Sequence, residues 1–544
     1  MKRRIQTLVL ALTLASPLSG QSAPPTADTT ARGGDVQDHE AQVLADAINV
    51  ISLRHLSAFR DSTLWEAAIQ GMVASLNDPY AELYTPAAAD QYDEATTGNY
   101  SGVGMQITLL NDQVTITAVF KRTPAAEAGI QVGDVIVGVD EHDASHWSTG
   151  MAADSIRGPV GSQVNVRIQR AGYDAPIPFD ITRREVHVPA VYAGTMEDNI
   201  AYVQLDQVRR NAAQEMDDAL KHIGDARGLI IDLRHNPGGF LDESLMLADI
   251  FLKPGSILAS TAQRVPGAPV AQRDTETARD RYPAEVPNLP IVMLVDGYTA
   301  SGAEIFAGAL QDYDRALVVG ERSFGKGLVQ TVMSLPYGRK LKFTSGVWMT
   351  PLGRSLQRPR DKEFHPLPED PDTFPKVRTP AGRELTTAGG IFPDLPVAED
   401  TLTVNERALI KAAGDAKFPL GVRMAEFSFK IAQQLQSAHQ PPGLDQARLD
   451  EFVKSLETEG LPASVVEAPG VREYIGWQVR MNIADRMEDY GAEADVRMAR
   501  DPALAEAVKL LKSSTTQAQL FQAAHAEATR LSESASASTS AGGH

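Results

Sequence analysis

The sequence predicts a multidomain α/β chain: an N-terminal helical segment, a β-rich module broken by glycines, a longer α/β core and a helical C-terminal extension. Three observations predict it. At 544 residues the chain exceeds what one ordinary core fills, so three or four domains are expected. Its hydrophobic content of 43% and charged content of 22% are those of a folded soluble protein. Its texture also changes three times: helical spacing of apolar residues gives way to short β-branched runs, then to strand–helix alternation, then to helix again.

The first element is a leader. Lys2, Arg3 and Arg4 precede an apolar stretch, Leu8 to Ala15, too short to span a bilayer, which predicts a signal peptide over residues 1–22 with cleavage between Gly20 and Ala23. An uncleaved anchor is the alternative. No later run of 18 apolar residues exists, so the expected product is exported and soluble after signal-peptide removal, with a bacterial periplasm the best fit. Residues 23–97 are expected to be mainly helical, because Val43, Ala47, Val50, Ile51, Leu53 and Leu56 recur at helical intervals; Asp78-Pro79-Tyr80 supplies a turn. Across 98–184, Val114 to Val119, Val135 to Val139 and Val164 to Gln169 read as short strands. From 185 to 400 strands and helices alternate: Asn199 to Leu205, Ala212 to His222, then a buried strand Gly228 to Leu233 running into His235-Asn236-Pro237-Gly238-Gly239. Residues 401–531 turn helical and charged, and the Ser/Ala/Gly-rich tail, 532–544, is expected to be disordered.

A net charge of −19 offers no field for phosphate, which argues against nucleic acid as a partner. Cysteine is absent, which excludes disulfides, thiolate metal sites and a cysteine nucleophile. The 11 histidines form no ligand-spaced cluster, so neither a metal nor another cofactor is expected.

The chemistry is concentrated in two short segments. Ser301 lies in Tyr298-Thr299-Ala300-Ser301-Gly302-Ala303-Glu304, a turn of small residues just after the apolar run Ile291 to Val295. Twenty-five residues on, Gly325-Lys326-Gly327-Leu328-Val329-Gln330 places a lysine between two glycines and a glutamine four positions further. A serine hydroxyl needs a neighbouring base, and lysine serves only when held neutral. At pH 7 about one free lysine in two thousand is neutral, but burial lowers its pKa by several units. Leu328 and Val329 are candidate walls, and Gln330 can hold the amine without adding the charge that would raise its pKa again. The pattern suggests a hydrolase, and a peptidase before other kinds. Glu304, three residues past Ser301, reads as a capping-box residue fixing a helix start, without a catalytic role.

Within 98–184, three ordered segments carry a resemblance to a PDZ domain: Ser101-Gly102-Val103-Gly104-Met105, Ala128-Gly129-Ile130-Gln131-Val132-Gly133-Asp134-Val135-Ile136, and Arg157-Gly158-Pro159-Val160-Gly161. The resemblance implies that Gly102, Val103, Gly104 and Met105 hold a peptide's terminal carboxylate on backbone N–H groups, with Met105, Ile107 and Met151 as candidate pocket walls. Placed before the Ser/Lys segments, with Asp232-Leu233-Arg234-His235-Asn236-Pro237-Gly238-Gly239, Thr350-Pro351-Leu352-Gly353-Arg354 and Gly390-Ile391-Phe392-Pro393-Asp394 in register, this module makes the chain resemble the C-terminal processing peptidases, or tail-specific proteases, from about Asp78 to Val397.

That resemblance implies an α/β serine peptidase core of the ClpP/crotonase type. Ser301 is then the nucleophile, Lys326 the general base and Gln330 its orienting residue, while Gly238 or Gly239 together with Gly302 supplies the oxyanion donors. Substrates are proteins bound by their C-termini. A homo-oligomer or an adaptor lipoprotein is a further expected partner, and Arg157 a candidate regulatory contact. Two residues depart from the family's habit: His235, read as a structural histidine, and Gly302, where only the backbone matters. A catalytically silent tail-binding scaffold stays open as the alternative. A Ser-His-Asp esterase using His235 is weakened by the absence of a Gly-x-Ser-x-Gly elbow.

Overall fold

The computed structural model describes residues 34–541 except 58, 121, 171, 266–271, 287 and 362–363; the expected leader lies outside them. The chain divides into two units, Met1–Asn77 and Asp78–His544. In the first, the helical periodicity becomes two helices, Gly34–Arg54 and Asp61–Ser75, on which Val50, Ile51 and Leu53 stay exposed.

In the second unit, the PDZ expectation holds. Strands Met105–Leu110, Gln113–Val119, Val135–Val139, Gln163–Gln169 and Ile177–Thr182 form an antiparallel sheet in that order. Their alternation sends Val114, Ile116, Ile136, Val164, Val166 and Ile168 into one core. The first two strands meet at Asn111-Asp112, both with positive φ (49° and 58°), as a tight hairpin turn requires. Strand Met105–Leu110 is an edge: it pairs on one side only, and helix Thr149–Ile156 packs beside it, its start capped by Ser148 Oγ accepting from the Met151 N–H at 3.3 Å. Strand Asn99–Gly102 pairs with Arg184–His187, fastening the module's two ends together.

The core is a six-stranded sheet in the order Val191–Met196, Ile200–Leu205, Gly228–Asp232, Ile291–Val295, Leu317–Gly320 and Leu395–Pro396, parallel after the first pair. Its central strands are buried on both faces, which is why Gly228–Asp232 and Ile291–Val295 read as unbroken apolar runs. One face is covered by helices Ala212–Leu220, Leu241–Asp249 and Gly302–Asp312. The other is covered by Leu504, Leu511 and Leu520 from the C-terminal helices, so residues past about 490 complete the peptidase layer. Residues 402–487 build a helical core of their own around Leu409, Leu449, Leu456 and Ile475.

A second, antiparallel sheet contains Glu82–Tyr84, Ile257–Arg264, Arg273–Arg279, Leu328–Leu335 and the long strand Arg339–Met349. The last helix runs Gln517–Ala541, past the Ser532 at which disorder is expected. Among the described residues no helix is long and apolar enough to cross a membrane.

Candidate active site

Ser301 sits where strand Ile291–Val295 gives way to helix Gly302–Asp312. The turn between them is held by Asp296, whose Oδ1 accepts from the Tyr298 N–H (3.0 Å), the Thr299 N–H (2.8 Å) and Thr299 Oγ1 (3.0 Å). Ser301 has φ +53° and ψ −114°, a region a non-glycine residue occupies only when its surroundings enforce it. Enforcement comes from the helix's own third residue: Ser301 N–H donates to Glu304 Oε2 at 2.8 Å.

Glu304 does more than cap. Fully buried, its carboxylate also accepts from the N–H groups of Gly325 and Lys326, each at 2.8 Å, and from Ser323 Oγ. The Ser301 and Lys326 amides therefore converge on one oxygen, which brings the two segments together across 25 residues of sequence. Burial raises the Glu304 pKa, while these four donors work against the rise. The capping-box reading predicted the Ser301 bond; nothing in the sequence marked the reach to Gly325 and Lys326.

The Lys326 amine donates to Gln330 Oε1 at 2.8 Å, the pairing expected of those two residues. Its pKa is lowered to about 8, first by burial and then by the nearby Lys342 charge. Its wall is the ring of Tyr80, whose centroid lies 4.6 Å from the nitrogen; in the sequence Asp78-Pro79-Tyr80 is a turn and the first landmark of the family resemblance. The glycines on either side are required by close approach. A Cβ on Gly325, itself at φ +82°, would lie 2.7 Å from that of Arg358, and one on Gly327 would lie 2.8 Å from the Gln357 nitrogen. Among the described residues, three buried polar atoms in this neighbourhood have no hydrogen-bond partner: Gln330 Nε2, Tyr80 Oη and Thr344 Oγ1, the last on the residue paired with Gln330 across the sheet. No hydrogen bond joins Ser301 Oγ to the Lys326 amine among the described residues; the serine side chain instead faces the N–H of Glu304 in the capping box.

The expected oxyanion donors separate. Gly238 is not available, because its N–H is taken by Asn236 Oδ1 at 2.8 Å. The N–H groups of Gly239 and Gly302 find no acceptor among the described residues, and they sit side by side: a Cβ on Gly302 would be 3.1 Å from the Gly239 nitrogen. Asn236 shapes this loop from both ends, since its Nδ2 also donates to the Leu205 carbonyl at 2.7 Å. The residue beside it, His235, is 70% exposed and faces Asp296 Oδ2 at 3.2 Å; it makes no hydrogen bond to Ser301.

In the PDZ module, Gly102 belongs to the strand pair with Arg184, and the Val103 side chain enters the core. Gly104 (φ +84°) must be glycine, because a Cβ would lie 2.3 Å from that of Thr123. Met105 opens the edge strand, and Met105 and Ile107 are partly buried against the core, while Met151 on the adjacent helix is 53% exposed. Arg157, just past that helix, reaches Glu94 Oε2 at 3.0 Å and lies over the Tyr100 ring at 5.2 Å, rather than touching Ser301 or Lys326.

Residues 199–362 match the sequence profile of peptidase family S41, 115–170 that of a PDZ domain, and 17–85 that of the N-terminal domain of the activating protease CtpB. A carboxy-terminal-processing protease of Bartonella bacilliformis is 33% identical over 338 residues, 60% of this chain and 75% of that one. The chain belongs to the S41 carboxy-terminal-processing proteases. A CtpA-like serine protease of Staphylococcus epidermidis is 31% identical over 297 residues, 54% of this chain and 58% of its own length. Among solved structures, a photosystem II D1 C-terminal processing protease aligns at 24% identity over 70% of this chain and 98% of its own, with a TM-score of 0.34. A superposition so loose adds nothing to the family assignment, which rests on sequence. As a family member the chain is a serine-type peptidase carrying a PDZ domain, and the esterase reading of His235 falls away.

Proposed function

We propose that this protein is an exported endopeptidase that captures an unstructured C-terminal tail on its PDZ groove and cuts upstream of it with Ser301 and Lys326. The tail adds as a strand along the open edge of Met105–Leu110, its carboxylate against the Gly102–Met105 turn and its last side chain among Met105, Ile107 and Met151. Neutral Lys326 takes the Ser301 proton as Oγ bonds to the scissile carbonyl carbon. The resulting oxyanion is held between the N–H groups of Gly239 and Gly302. When the C–N bond breaks, the leaving amine takes its proton from the lysine, and an ester on Ser301 remains. Lys326 then deprotonates a water that attacks the ester, releasing a carboxylate and restoring the hydroxyl.

The observation that carries this reading is the lysine itself: its amine held by neutral Gln330 at 2.8 Å, its pKa brought to about 8, and its backbone sharing Glu304 with Ser301. Arg157, now on Glu94, is the residue through which a docked tail signals to the core. The test is cleavage of a loosely folded reporter ending in an apolar tail, beside Ser301→Ala, Lys326→Ala and a reporter with a charged tail. Cutting by the wild type alone, slower on the charged tail, is expected. Undiminished cutting by Lys326→Ala would exclude the dyad. Tail binding with no turnover under any condition would leave the scaffold reading.

A further inference from the structure

We propose that His235, Asp296 and Glu399 form a site for one divalent transition-metal ion, zinc foremost, at the carboxyl ends of the core strands. The three residues are 61 and 103 positions apart in sequence, so no spacing rule reveals them, yet one ligand atom from each lies within 4.8 Å of the others. An imidazole with two carboxylates is a donor set that zinc accepts, with water completing the shell.

Four features separate this cluster from a chance meeting of side chains. His235 Nδ1 and Asp296 Oδ2 stand 3.2 Å apart. That is wider than the roughly 2.7–2.9 Å of a charge-assisted hydrogen bond. It is close to the roughly 3.3 Å edge of a tetrahedron whose metal–ligand distances are about 2.0–2.1 Å. Asp296 is buried and cannot swing away, because its other oxygen takes three hydrogen bonds from Tyr298 and Thr299; a fixed carboxylate of this kind is what an outer shell provides around a metal ligand.

The His235 backbone is equally fixed. It has φ +58° and donates its N–H to Asp296 Oδ2 at 3.0 Å, leaving that oxygen a further lone pair for an ion. Finally, the Glu399 carboxylate has no hydrogen bond or ion pair among the described residues. The cations nearby are already spent: Arg234 on Asp232 and Asp501, Arg497 on Glu493, and Arg500 on Asp400 and Glu406. A cleft of about 590 Å³, lined by His235, Glu321 and Glu399, gives solvent access.

The ion would join three segments at once. His235 lies on the loop that carries Gly239, Asp296 on the turn that carries Ser301, and Glu399 on the exit from the last core strand. Its effect is to clamp the oxyanion loop to the nucleophile turn, without entering the reaction.

The experiment uses the tag-free full chain, stripped with EDTA, titrated calorimetrically with zinc chloride, with cobalt chloride followed by its visible bands and magnesium chloride as a control. One zinc per chain is expected, with a raised thermal midpoint and no magnesium binding. His235→Ala and Glu399→Gln are each expected to weaken zinc at least tenfold and to abolish the thermal shift, with their metal-free midpoints reporting intact folding. The Glu399 carboxylate is exposed, so its variant keeps the test open even if the histidine variant misfolds. Absence of saturable zinc binding, or zinc binding unchanged in both variants, overturns the proposal.

Discussion

Lys326 shows how much of the chemistry depends on one environment. Its pKa of about 8 against an ordinary 10.5 means that kcat/KM for tail cleavage should climb as pH rises through about 8, when the amine sheds its proton. Gln330→Glu reverses the device: an anion beside the amine raises the lysine pKa by about 1–3 units. The variant should lose about 5–500-fold at pH 8 and recover part of it at higher pH; a pH profile that merely drops without moving would count against the orienting role. The same depressed pKa has a stability sign. Between about 8 and 10.5 the unfolded chain binds more protons than the folded one, so this group's contribution to stability rises with pH across that window, and below it the buried ammonium is a cost. Lys326→Met should therefore be inactive yet more stable at pH 7 by about 1–3 kcal/mol, read from denaturant midpoints. Glu304→Gln tests the neighbouring hub: it turns one accepting oxygen into a donor facing either the Ser301 and Lys326 amides or the Gly325 amide and the Ser323 hydroxyl. A loss of about 1–3 kcal/mol is expected, with activity falling further than unfolding explains.

At the scale of elements, the Pro-Gly-Gly loop and the helix Gly302–Asp312 are fitted to each other by close approach. A Cβ on Gly239 would come 1.9 Å from the Val208 carbonyl oxygen, which the bridge between those two segments keeps in place. The same addition at Gly302 meets Ser244 Oγ at 2.5 Å, the end of a side chain that can turn away. Gly239→Ala is thus expected to cost about 1–3 kcal/mol and most activity, and Gly302→Ala much less of both; equal losses in thermal melts would contradict the packing account. Elements of this kind were legible in sequence wherever a local pattern encodes them. The strands Gly228–Asp232 and Ile291–Val295 are unbroken apolar runs because both faces are covered, and the PDZ strands alternate because one face is. What stayed hidden was long-range. Glu304 looked like a cap because its first partner is three residues away, while its others lie about twenty further on. Tyr80 looked like punctuation because its wall against Lys326 exists only once the strand Glu82–Tyr84 joins the lysine's sheet. Gly238 looked equivalent to Gly239 until Asn236 claimed its N–H.

For the whole unit from Asp78 onward, the C-terminal helices serve two purposes that composition alone did not separate. Residues around Leu504, Leu511 and Leu520 close one face of the peptidase sheet, so truncation before them strips a core rather than an appendage. The earlier helix Leu420–Ser437 instead holds the PDZ module: Glu426 Oε1 accepts from the Asn111 N–H at the hairpin tip at 2.6 Å, and Gln433 Nε2 donates to the Val132 carbonyl at 3.3 Å. The exposed Arg157–Glu94 pair joins the module to the helix Pro86–Thr97, and such pairs contribute about 0–1 kcal/mol. Glu426→Ala combined with Gln433→Ala removes two polar contacts worth about 0.5–1.5 kcal/mol each. Amide exchange should speed up in the hairpin Met105–Val119 while the core strand Ile291–Val295 keeps its protection, and basal cleavage should change because the groove no longer sits at a fixed distance from Ser301. Unchanged exchange in the hairpin would mean that covalent linkage and the strand pair at Asn99–Gly102 suffice to seat the module, and that the helix Leu420–Ser437 only rests against it.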